Sequence, residues 1–288
     1  MIPNQPTPGI AGLDHAVIAV RDLDAAQDTY ARMGFTLAPR GLHSTGSTNH
    51  IIMLGRDYVE LLTVPRPNPM QSFFYDFVQA GGDGLAALAL AGTDAGASTV
   101  ALREKGFEPA TPLDLSRPIT EGSRTGTARF KITNLAPRST PGAQVFICQH
   151  FTRELVWQPE LQQHANGALG IAAVAFIADN VAHQAGIYAK LFGLWPERIP
   201  EGMKIATGTA PGAAVIAVST QLALQTRLAG AELPSRARPH MAVLYLRVKD
   251  RQETSKTLRA GGFDPKRMSD GSYAIDASQA HGVTVVFG

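Results

Sequence analysis

The sequence has a single cysteine, Cys148, so no disulfide bond can form within the chain. It also lacks any apolar run near the roughly 20 residues that a membrane-spanning helix needs, and any cluster of Lys and Arg that would follow a phosphate backbone. Only 17% of the residues are charged and the formal net charge is +2. We therefore expect neither nucleic acid nor a membrane among the partners.

The first residues, Met1 to Pro6, contain neither a positively charged segment nor the apolar segment of a secretory signal. A cytoplasmic protein is therefore expected. With 288 residues, of which 44% are hydrophobic, the chain is about two average domains long. A chain of that length is expected to bury a core large enough to be stable without disulfide bonds.

The stretch 12–64 predicts one β-α-β-β-β unit. Its apolar run at 12–20 is rich in β-branched residues and favours a buried strand. Asp22 is then a helix N-cap, an apolar stripe follows at helical spacing, and Gly34 ends the helix. Three further strand-like segments complete the unit, at 35–39, 50–54 and 58–64.

Three later stretches repeat this order. Asp94 and Gly106 have the same spacing of twelve residues as Asp22 and Gly34, and so do Asp250 and Gly262. Asp179 and Gly193 give a version two residues longer. An apolar strand precedes each Asp, and the predicted strands after each Gly are 107–113, 127–132 and 144–151, then 195–198, 204–207 and 213–219, then 263–266, 272–277 and 283–287. Asp and Gly are common at helix ends, but their recurrence together with the strands favours four copies of one unit.

One such unit cannot bury both faces of its small sheet, so the units are expected to pair. The prediction is an α+β fold of four βαβββ modules, paired into two curved, open, mixed sheets. The first domain is assigned to residues 1–157 and the second to 168–288, joined by the linker 158–167. Helices would cover the outer faces and leave two concave faces as pockets.

This architecture resembles the vicinal oxygen chelate superfamily, which includes glyoxalase I, extradiol dioxygenases and bleomycin-binding proteins. Local sequence in the first half is similar to bacterial glyoxalase-like domain proteins. The segments that carry the likeness are Gly12-Leu13-Asp14-His15, Asp22-Leu23-Asp24-Ala25-Ala26, the loop 43–49, Tyr58-Val59-Glu60-Leu61 and 148–157. The resemblance implies a scaffold more directly than a reaction.

Metal-dependent members of the superfamily place ligands midway along the first strand and on the last strand of paired units. His15 lies seven residues before Asp22, and the same offset gives Ala87, Ala172 and Val243 in the other units. On the last strands, Glu60 interrupts an apolar run in the first unit. In the second unit the last strand carries Cys148 and His150, which share a face.

His15, Glu60 and His150 are therefore the predicted ligands of a divalent ion such as Zn, Ni, Mn or Fe. Three structural roles compete with this prediction: a core histidine at 15, a solvated sheet residue at 60 and an edge residue at 150. Ala87 departs from the metal-binding pattern.

Other polar and aromatic residues could handle a substrate. His43 is a candidate catalytic acid or base beside Glu60, because imidazole titrates near neutral pH. Asn49 could donate hydrogen bonds, Arg129 could bind a carboxylate or phosphate if it points inward, and Trp157 could form an aromatic wall.

The leading functional prediction is a glyoxalase-like, metal-dependent enzyme that moves a proton on a small oxygenated molecule in the N-terminal half, as an isomerase or lyase does. The alternative is a metal-free protein that binds or sequesters a small molecule, as bleomycin-binding proteins do. An extradiol dioxygenase is disfavoured, because Ala172 and Val243 leave the second half without ligands. The expected partners are a small-molecule ligand and a second copy of the chain in a homodimer.

Overall fold

The computed structural model describes residues 4–43, 46–69, 71–119 and 124–288. Eight strands come from the first half of the chain: β1 Ile10–Ala19, β2 Gly41–Leu42, β3 Thr48–Met53, β4 Tyr58–Thr63, β5 Gly84–Gly92, β6 Leu113–Ile119, β7 Gly126–Asn134 and β8 Gln144–His150. Eight come from the second half: β9 Ala168–Ile177, β10 Glu197–Ile199, β11 Gly202–Ala206, β12 Val215–Ser219, β13 His240–Val248, β14 Lys266–Arg267, β15 Tyr273–Ile275 and β16 Thr284–Phe287. The helices are α1 Leu23–Arg32, α2 Ser72–Gly81, α3 Ala95–Glu104, α4 Arg153–Val156, α5 Val181–Phe192, α6 Gln221–Arg227 and α7 Arg251–Ala260.

The strands form two eight-stranded mixed sheets, with the orders β2-β3-β4-β1-β5-β8-β7-β6 and β10-β11-β12-β9-β13-β16-β15-β14. In the first sheet β1 pairs parallel with β4 and antiparallel with β5, and β5 pairs parallel with β8. The second sheet repeats this pattern through β9 and β13. The prediction of four βαβββ modules paired into two curved mixed sheets is confirmed.

Asp residues cap three of the module helices as predicted. The side chains of Asp22 and Asp94 each accept a hydrogen bond from a backbone N–H three residues on, and Asp250 caps α7 in the same way. The cap of α5 is Asn180, whose side chain accepts from the backbone N–H of His183. The prediction of Asp179 was therefore wrong by one residue, and the position equivalent to His15 becomes Ala173 in place of Ala172.

The first short strand of each module begins later than predicted. The segments 35–39 and 107–113 are mostly irregular, and the edge strands are β2 and β6. The aromatic residue that follows three of the four module helices explains the difference. Phe35, Phe107 and Phe263 are buried in the core between the helices and sheets, so the chain must first leave the core before it reaches the sheet edge.

Each first strand carries a β-bulge at the same place, eight residues before the helix cap. The pairing register shifts at Asp14 in β1 and at Ala86 in β5. It shifts likewise at Ala172 in β9 and at Ala242 in β13. A bulge inserts one unpaired residue, so two neighbouring side chains can lie on one face of the sheet.

One continuous apolar core joins the two halves. It contains the side chains on the helix-covered face of each sheet and residues of α1, α3, α5 and α7. Tyr30, Phe176, Tyr188 and Phe287 are among its largest side chains. These four helices thus lie on the faces opposite the two concave surfaces. None of the helices in the described ranges is long and apolar enough to span a membrane.

The two concave faces differ. In the second sheet, α6 and the residues after it bring Leu224, Leu228 and Ala231 against Ala175 and Val243, so the predicted second pocket is filled. In the first sheet, α2 covers one end through Phe73, Phe74 and Phe77. The segment around α4 covers the other end, and the middle stays open.

Asp57, in the turn between β3 and β4, ties the first half to the second. Its Oδ1 accepts a hydrogen bond from the backbone N–H of Ile171 at 2.9 Å, and its side chain is buried. Burial raises the pKa of Asp57 to about 6, although the Ile171 bond and the charges of Arg247 and Arg153 act in the other direction. Arg247 Nη2 lies 4.0 Å from Asp57 Oδ2. The negative charge of Asp14 raises the pKa of Asp57 further.

We expect Asp57→Asn to stabilise the protein only at neutral and alkaline pH. The folded-state pKa of about 6 exceeds the ordinary value of 3.8, so the contribution of Asp57 is favourable in acid and is lost as pH rises through 6. Asparagine keeps the acceptor for Ile171 without the charge. Urea unfolding should show a gain of up to about 3 kcal/mol near pH 8 and almost none near pH 4. A gain that is independent of pH would contradict the assignment.

Candidate functional site

The open middle of the first concave face is a cavity of about 200 Å³. Its walls are mainly apolar and aromatic, and they include Ile51, Tyr58, Leu62, Phe74, Phe130 and Phe146. The polar side chains that reach it include His15, His43, Asn49, Glu60 and Arg117. A mostly apolar cavity with a few convergent polar groups is typical of a small-molecule site.

The bulge at Asp14 builds one side of this site. Leu13 pairs with Leu90 and His15 with Ala89, so Asp14 is the unpaired residue between them. Asp14 and His15 are sequence neighbours, and a regular strand would point them to opposite faces. The bulge places both on the cavity side, where His15 Nδ1 lies 2.7 Å from Asp14 Oδ1.

Asp14 is a buried carboxylate shared by two imidazoles. Its Oδ1 also lies 3.2 Å from His150 Nε2, and Arg153 Nη1 is 3.6 Å from Oδ2. Burial alone would raise the pKa of Asp14, but the hydrogen bonds and charges of His15 and His150 lower it well below its usual range. The carboxylate is therefore ionised at neutral pH and can only accept hydrogen bonds.

An ionised Asp14 fixes the tautomer of His15. The Nδ1–H of His15 must donate to Asp14, which leaves Nε2 of a neutral ring with its lone pair free. Nε2 lies 3.5 Å from Glu60 Oε2 and 3.5 Å from the Tyr58 hydroxyl. Tyr58 also stacks on the ring at 4.1 Å, and Phe146 meets it edge-on at 5.5 Å. These contacts with Asp14, Tyr58 and Phe146 fix the orientation of the imidazole ring.

Glu60 and Tyr58 complete the inner group. Asn49 Nδ2 donates to Glu60 Oε1 at 2.6 Å, which leaves Oε2 for His15 or a ligand. Burial raises the pKa of Tyr58 well above its ordinary value, and the charges of Asp14 and Glu60 add to the rise. Tyr58 is thus a neutral phenol that can donate a hydrogen bond beside His15.

His43 and Arg117 lie at the outer part of the cavity. His43 Nδ1 is 2.7 Å from the hydroxyl of Ser47, which also accepts from Gln71. Burial lowers the pKa of His43, Arg117 and His15 act in the same direction, and Glu60 opposes them. His43 is therefore uncharged at neutral pH, while Arg117 supplies a positive charge.

The structure brings four of the predicted site residues, His15, His43, Asn49 and Glu60, to this cavity. Arg129 lies elsewhere: it is exposed and alternates along β7 with Phe130, which lines the cavity.

Trp157 packs edge-on behind the cavity wall, 5.4 Å from Tyr58 and 5.2 Å from His150. The guanidinium of Arg153 stacks over the Trp157 ring, with Cζ 3.3 Å from the ring centroid. Sequence analysis missed Asp14, because the bulge that turns it inward leaves no mark in the alternation of residues. It also missed Arg117, which stands beside Pro118 in a stretch without a clear strand pattern.

The module symmetry tests whether the cavity fits the ion of metal-dependent relatives. In the first module, Glu60 pairs with Val17, which lies five residues before the helix cap Asp22. In the second module, the residue five before the cap Asp94 is Ala89, and it pairs with Phe146. Phe146 is therefore the counterpart of Glu60, as Ala87 is of His15. Only two of the four equivalent positions carry a ligand side chain, so the residues do not fit a complete ion site there.

His150 turns to different partners. Its Nε2 lies 3.4 Å from Cys148 Sγ as well as 3.2 Å from Asp14. Within the described ranges, Asp14, Cys148 and His150 form one group whose ligand atoms all lie within 4.8 Å of one another, and the predicted set of His15, Glu60 and His150 forms no such group. Burial raises the pKa of the Cys148 thiol well above its ordinary value, and the charges of Asp14 and Glu60 add to the rise.

A family model described as a glyoxalase-like domain matches residues 13–192, which is more than half of the chain. The chain belongs to the glyoxalase-like domain family. The matched stretch begins just before Asp14 and ends with α5, so it contains the cavity and all of the first sheet except the first three residues of β1. None of the curated proteins compared with this glyoxalase-like chain matches it.

Solved structures resemble the glyoxalase-like chain over almost its full length. A hypothetical protein from Staphylococcus aureus has a TM-score of 0.66 at 14% identity, and the alignment covers 96% of this chain and 98% of that one. A triple mutant of 4-hydroxymandelate synthase from Streptomyces coelicolor has a TM-score of 0.62 at 12% identity, with 98% and 92% covered.

A third structure is a fusion of a xylose isomerase-like TIM barrel with a 4-hydroxyphenylpyruvate dioxygenase. It has a TM-score of 0.60 at 14% identity, and the alignment covers 98% of this chain and 50% of that one. At these identities the likeness shows the fold, which is that of the vicinal oxygen chelate superfamily.

Proposed function

We propose that the glyoxalase-like chain is an enzyme that moves a proton on a small oxygenated molecule bound in the first-sheet cavity. The observation that carries the proposal is the pair of His15 Nε2 and Glu60 Oε2, 3.5 Å apart at the wall of an apolar cavity of about 200 Å³. Asp14 supports it by holding the His15 ring with Nε2 free. Two proton acceptors at one wall suit the removal of a proton from a substrate carbon and its return.

His15 is the proposed general base. Its Nε2 takes a proton from a carbon next to a carbonyl group, and the buried Asp14 carboxylate stabilises the imidazolium ion that forms. Glu60, held by Asn49, carries the hydroxyl proton from one of the two neighbouring substrate oxygens to the other. The Tyr58 hydroxyl donates a hydrogen bond to the substrate oxygen on which negative charge develops. The proton removed from carbon is thus returned to the neighbouring carbon or oxygen.

The outer part of the cavity suggests the substrate class. Arg117 supplies a charge that would bind a carboxylate, and the neutral His43 beside Ser47 would donate or accept a hydrogen bond. The aromatic walls suit an apolar group on the same molecule. We therefore propose a small 2-oxo or 2-hydroxy acid as substrate. Arg129 has no part in this proposal because its side chain is exposed away from the cavity.

A divalent ion such as Zn, Ni, Mn or Fe at the position used by metal-dependent relatives would find His15 and Glu60 as ligands, and Ala87 and Phe146 in place of the other two. Two protein ligands hold such an ion poorly. No step of the proposed reaction therefore passes through an ion at that position.

Proton exchange with solvent tests this function. The protein would be incubated in D₂O with a panel of small 2-oxo and 2-hydroxy acids, and proton NMR would record the loss of the signal of the carbon-bound hydrogen. We expect exchange with at least one compound, slowed about 100-fold or more by Glu60→Gln. His183→Gln is the matched control, because His183 is exposed on α5. Exchange that is unchanged in Glu60→Gln would contradict the role of Glu60.

A second candidate function is metal-free binding of a small molecule without reaction. It is favoured by Ala87 and Phe146, which give the cavity apolar groups at two of the four equivalent positions. Panel compounds that bind tightly in calorimetry, with equal affinity in the wild-type and Glu60→Gln proteins and with no exchange in either, would establish binding and overturn the enzymatic proposal.

A further inference from the structure

Three ligand-type side chains meet at the wall of the cavity, beside the His15 and Glu60 pair. Asp14 comes from the bulge of β1, and Cys148 and His150 come from one face of β8. His150 Nε2 lies 3.2 Å from Asp14 Oδ1 and 3.4 Å from Cys148 Sγ. All three side chains are at least nine-tenths buried. Carboxylate, thiol and imidazole are the ligand types that zinc takes in proteins.

Two of the three spacings among these atoms fit a tetrahedral ion. With bonds of about 2.0 to 2.1 Å to N and O and about 2.3 Å to S, tetrahedral ligands lie about 3.3 Å apart for the N and O pair and about 3.5 Å for the N and S pair. The observed separations of 3.2 and 3.4 Å are close to both values. The ligand atoms of the third pair, Asp14 and Cys148, lie within 4.8 Å of one another.

Hydrogen bonding inside the chain leaves this group incomplete. Asp14 Oδ2 is a buried atom without a hydrogen-bond partner in the described residues. Arg153 Nη1 lies 3.6 Å from Oδ2, held there by its stacking over Trp157. Buried polar atoms without protein partners are uncommon in folded proteins, and a group that contains them is suited to hold a water molecule or an ion.

The group is also reachable. Cys148 lines the cavity, so an ion could enter through the cavity without unfolding of the sheet. In the second sheet, the bulge residue equivalent to Asp14 is Ala172, so that place carries no carboxylate.

We propose that Asp14, Cys148 and His150 bind one thiophilic divalent cation, with Zn²⁺ as the physiological class. This ion site is distinct from the position used by metal-dependent relatives, and it does not rest on the proposed proton transfer. The ion shares the Asp14 carboxylate with His15, so it supports the side of the cavity on which His15 stands.

Cobalt is the probe that reports the thiolate. The full chain, purified without a histidine tag and stripped with a chelator, would be titrated with Co²⁺ and then with Zn²⁺. We expect one ion per chain and the near-ultraviolet charge-transfer absorption of a cobalt–thiolate bond, which Zn²⁺ removes by displacing cobalt. Cys148→Ala should abolish this absorption and weaken Zn²⁺ binding by about 100-fold or more. His150→Gln should also weaken binding.

Glu60→Gln is the matched control, because Glu60 lies outside the ion group but belongs to the position used by relatives. We expect its cobalt absorption to equal that of the wild type. Binding without thiolate absorption in the wild type, or binding lost in Glu60→Gln and kept in Cys148→Ala, would overturn the proposal. Because the wild-type absorption decides by itself, a variant that fails to fold leaves the test intact. Proton exchange measured on the stripped protein keeps this outcome separate from the proposed function.

Discussion

Replacing His15 by glutamine is expected to slow proton exchange by about 10²- to 10⁴-fold, the usual contribution of a positioned general base. Glutamine can still donate to Asp14, but it has no nitrogen that takes up a proton near neutral pH. The loss should fall on the rate constant, with little change in the affinity for the substrate. Proton NMR in D₂O gives the rate, and calorimetry gives the affinity.

His183→Gln controls for the substitution itself, because it makes the same exchange of side chains at an exposed position. The melting temperature of both variants should be recorded, since His15 is buried and its ring packs on Tyr58 and Phe146. A folded His15→Gln protein that exchanges protons at the wild-type rate would rule out His15 as the base.

Gly261→Ala is expected to cost about 3 kcal/mol of unfolding free energy, at the upper end of the usual cost of overpacking. Gly261 follows α7, and a Cβ atom there would lie 1.9 Å from the backbone oxygen of Arg32 at the end of α1. The position of the Cβ atom and that of the Arg32 oxygen are both fixed by the backbone, so the clash is relieved only if the two helices move apart. The φ angle of −76° suits alanine, and the cost therefore comes from the contact alone.

Gly186→Ala provides the opposite expectation within the same protein. Gly186 lies inside α5, and a Cβ atom there would meet nothing within 4 Å. Alanine should therefore stabilise the helix by about 1 kcal/mol. Urea unfolding of the three proteins measures both effects. Equal changes in the two variants would show that the close approach of α1 and α7 is not what Gly261 provides.

The module order was predictable because each module repeats local signals. Strand, cap, apolar stripe and glycine appear together four times, and these signals depend only on neighbouring residues. The edge strands were less predictable. Phe35 and Phe107 resemble strand residues, but they pack in the core between helices and sheets, and that burial depends on the other half of the chain.

The candidate site was predictable only in part, for a similar reason. His15 and Glu60 follow from the repeat, and they lie 3.5 Å apart. Asp14 depends on a one-residue insertion in the strand pairing, which the sequence does not reveal. His150 shares a face with Cys148 as predicted, yet its nearest carboxylate is Asp14, and the three predicted metal ligands remain a prediction.

The four bulges give all four modules the same backbone at this place, and the modules differ there in two side chains. Asp14 and His15 occupy the bulge of β1, and Ala86 and Ala87 occupy the same bulge of β5, which borders the same cavity. The bulge related to that of Asp14 and His15 by the pseudo-twofold symmetry of the modules thus carries two methyl groups, which are buried against residues of α2. Ala87→His would place a second imidazole at the position equivalent to His15, and its ring would have to take the space that Phe74 and Phe146 now fill.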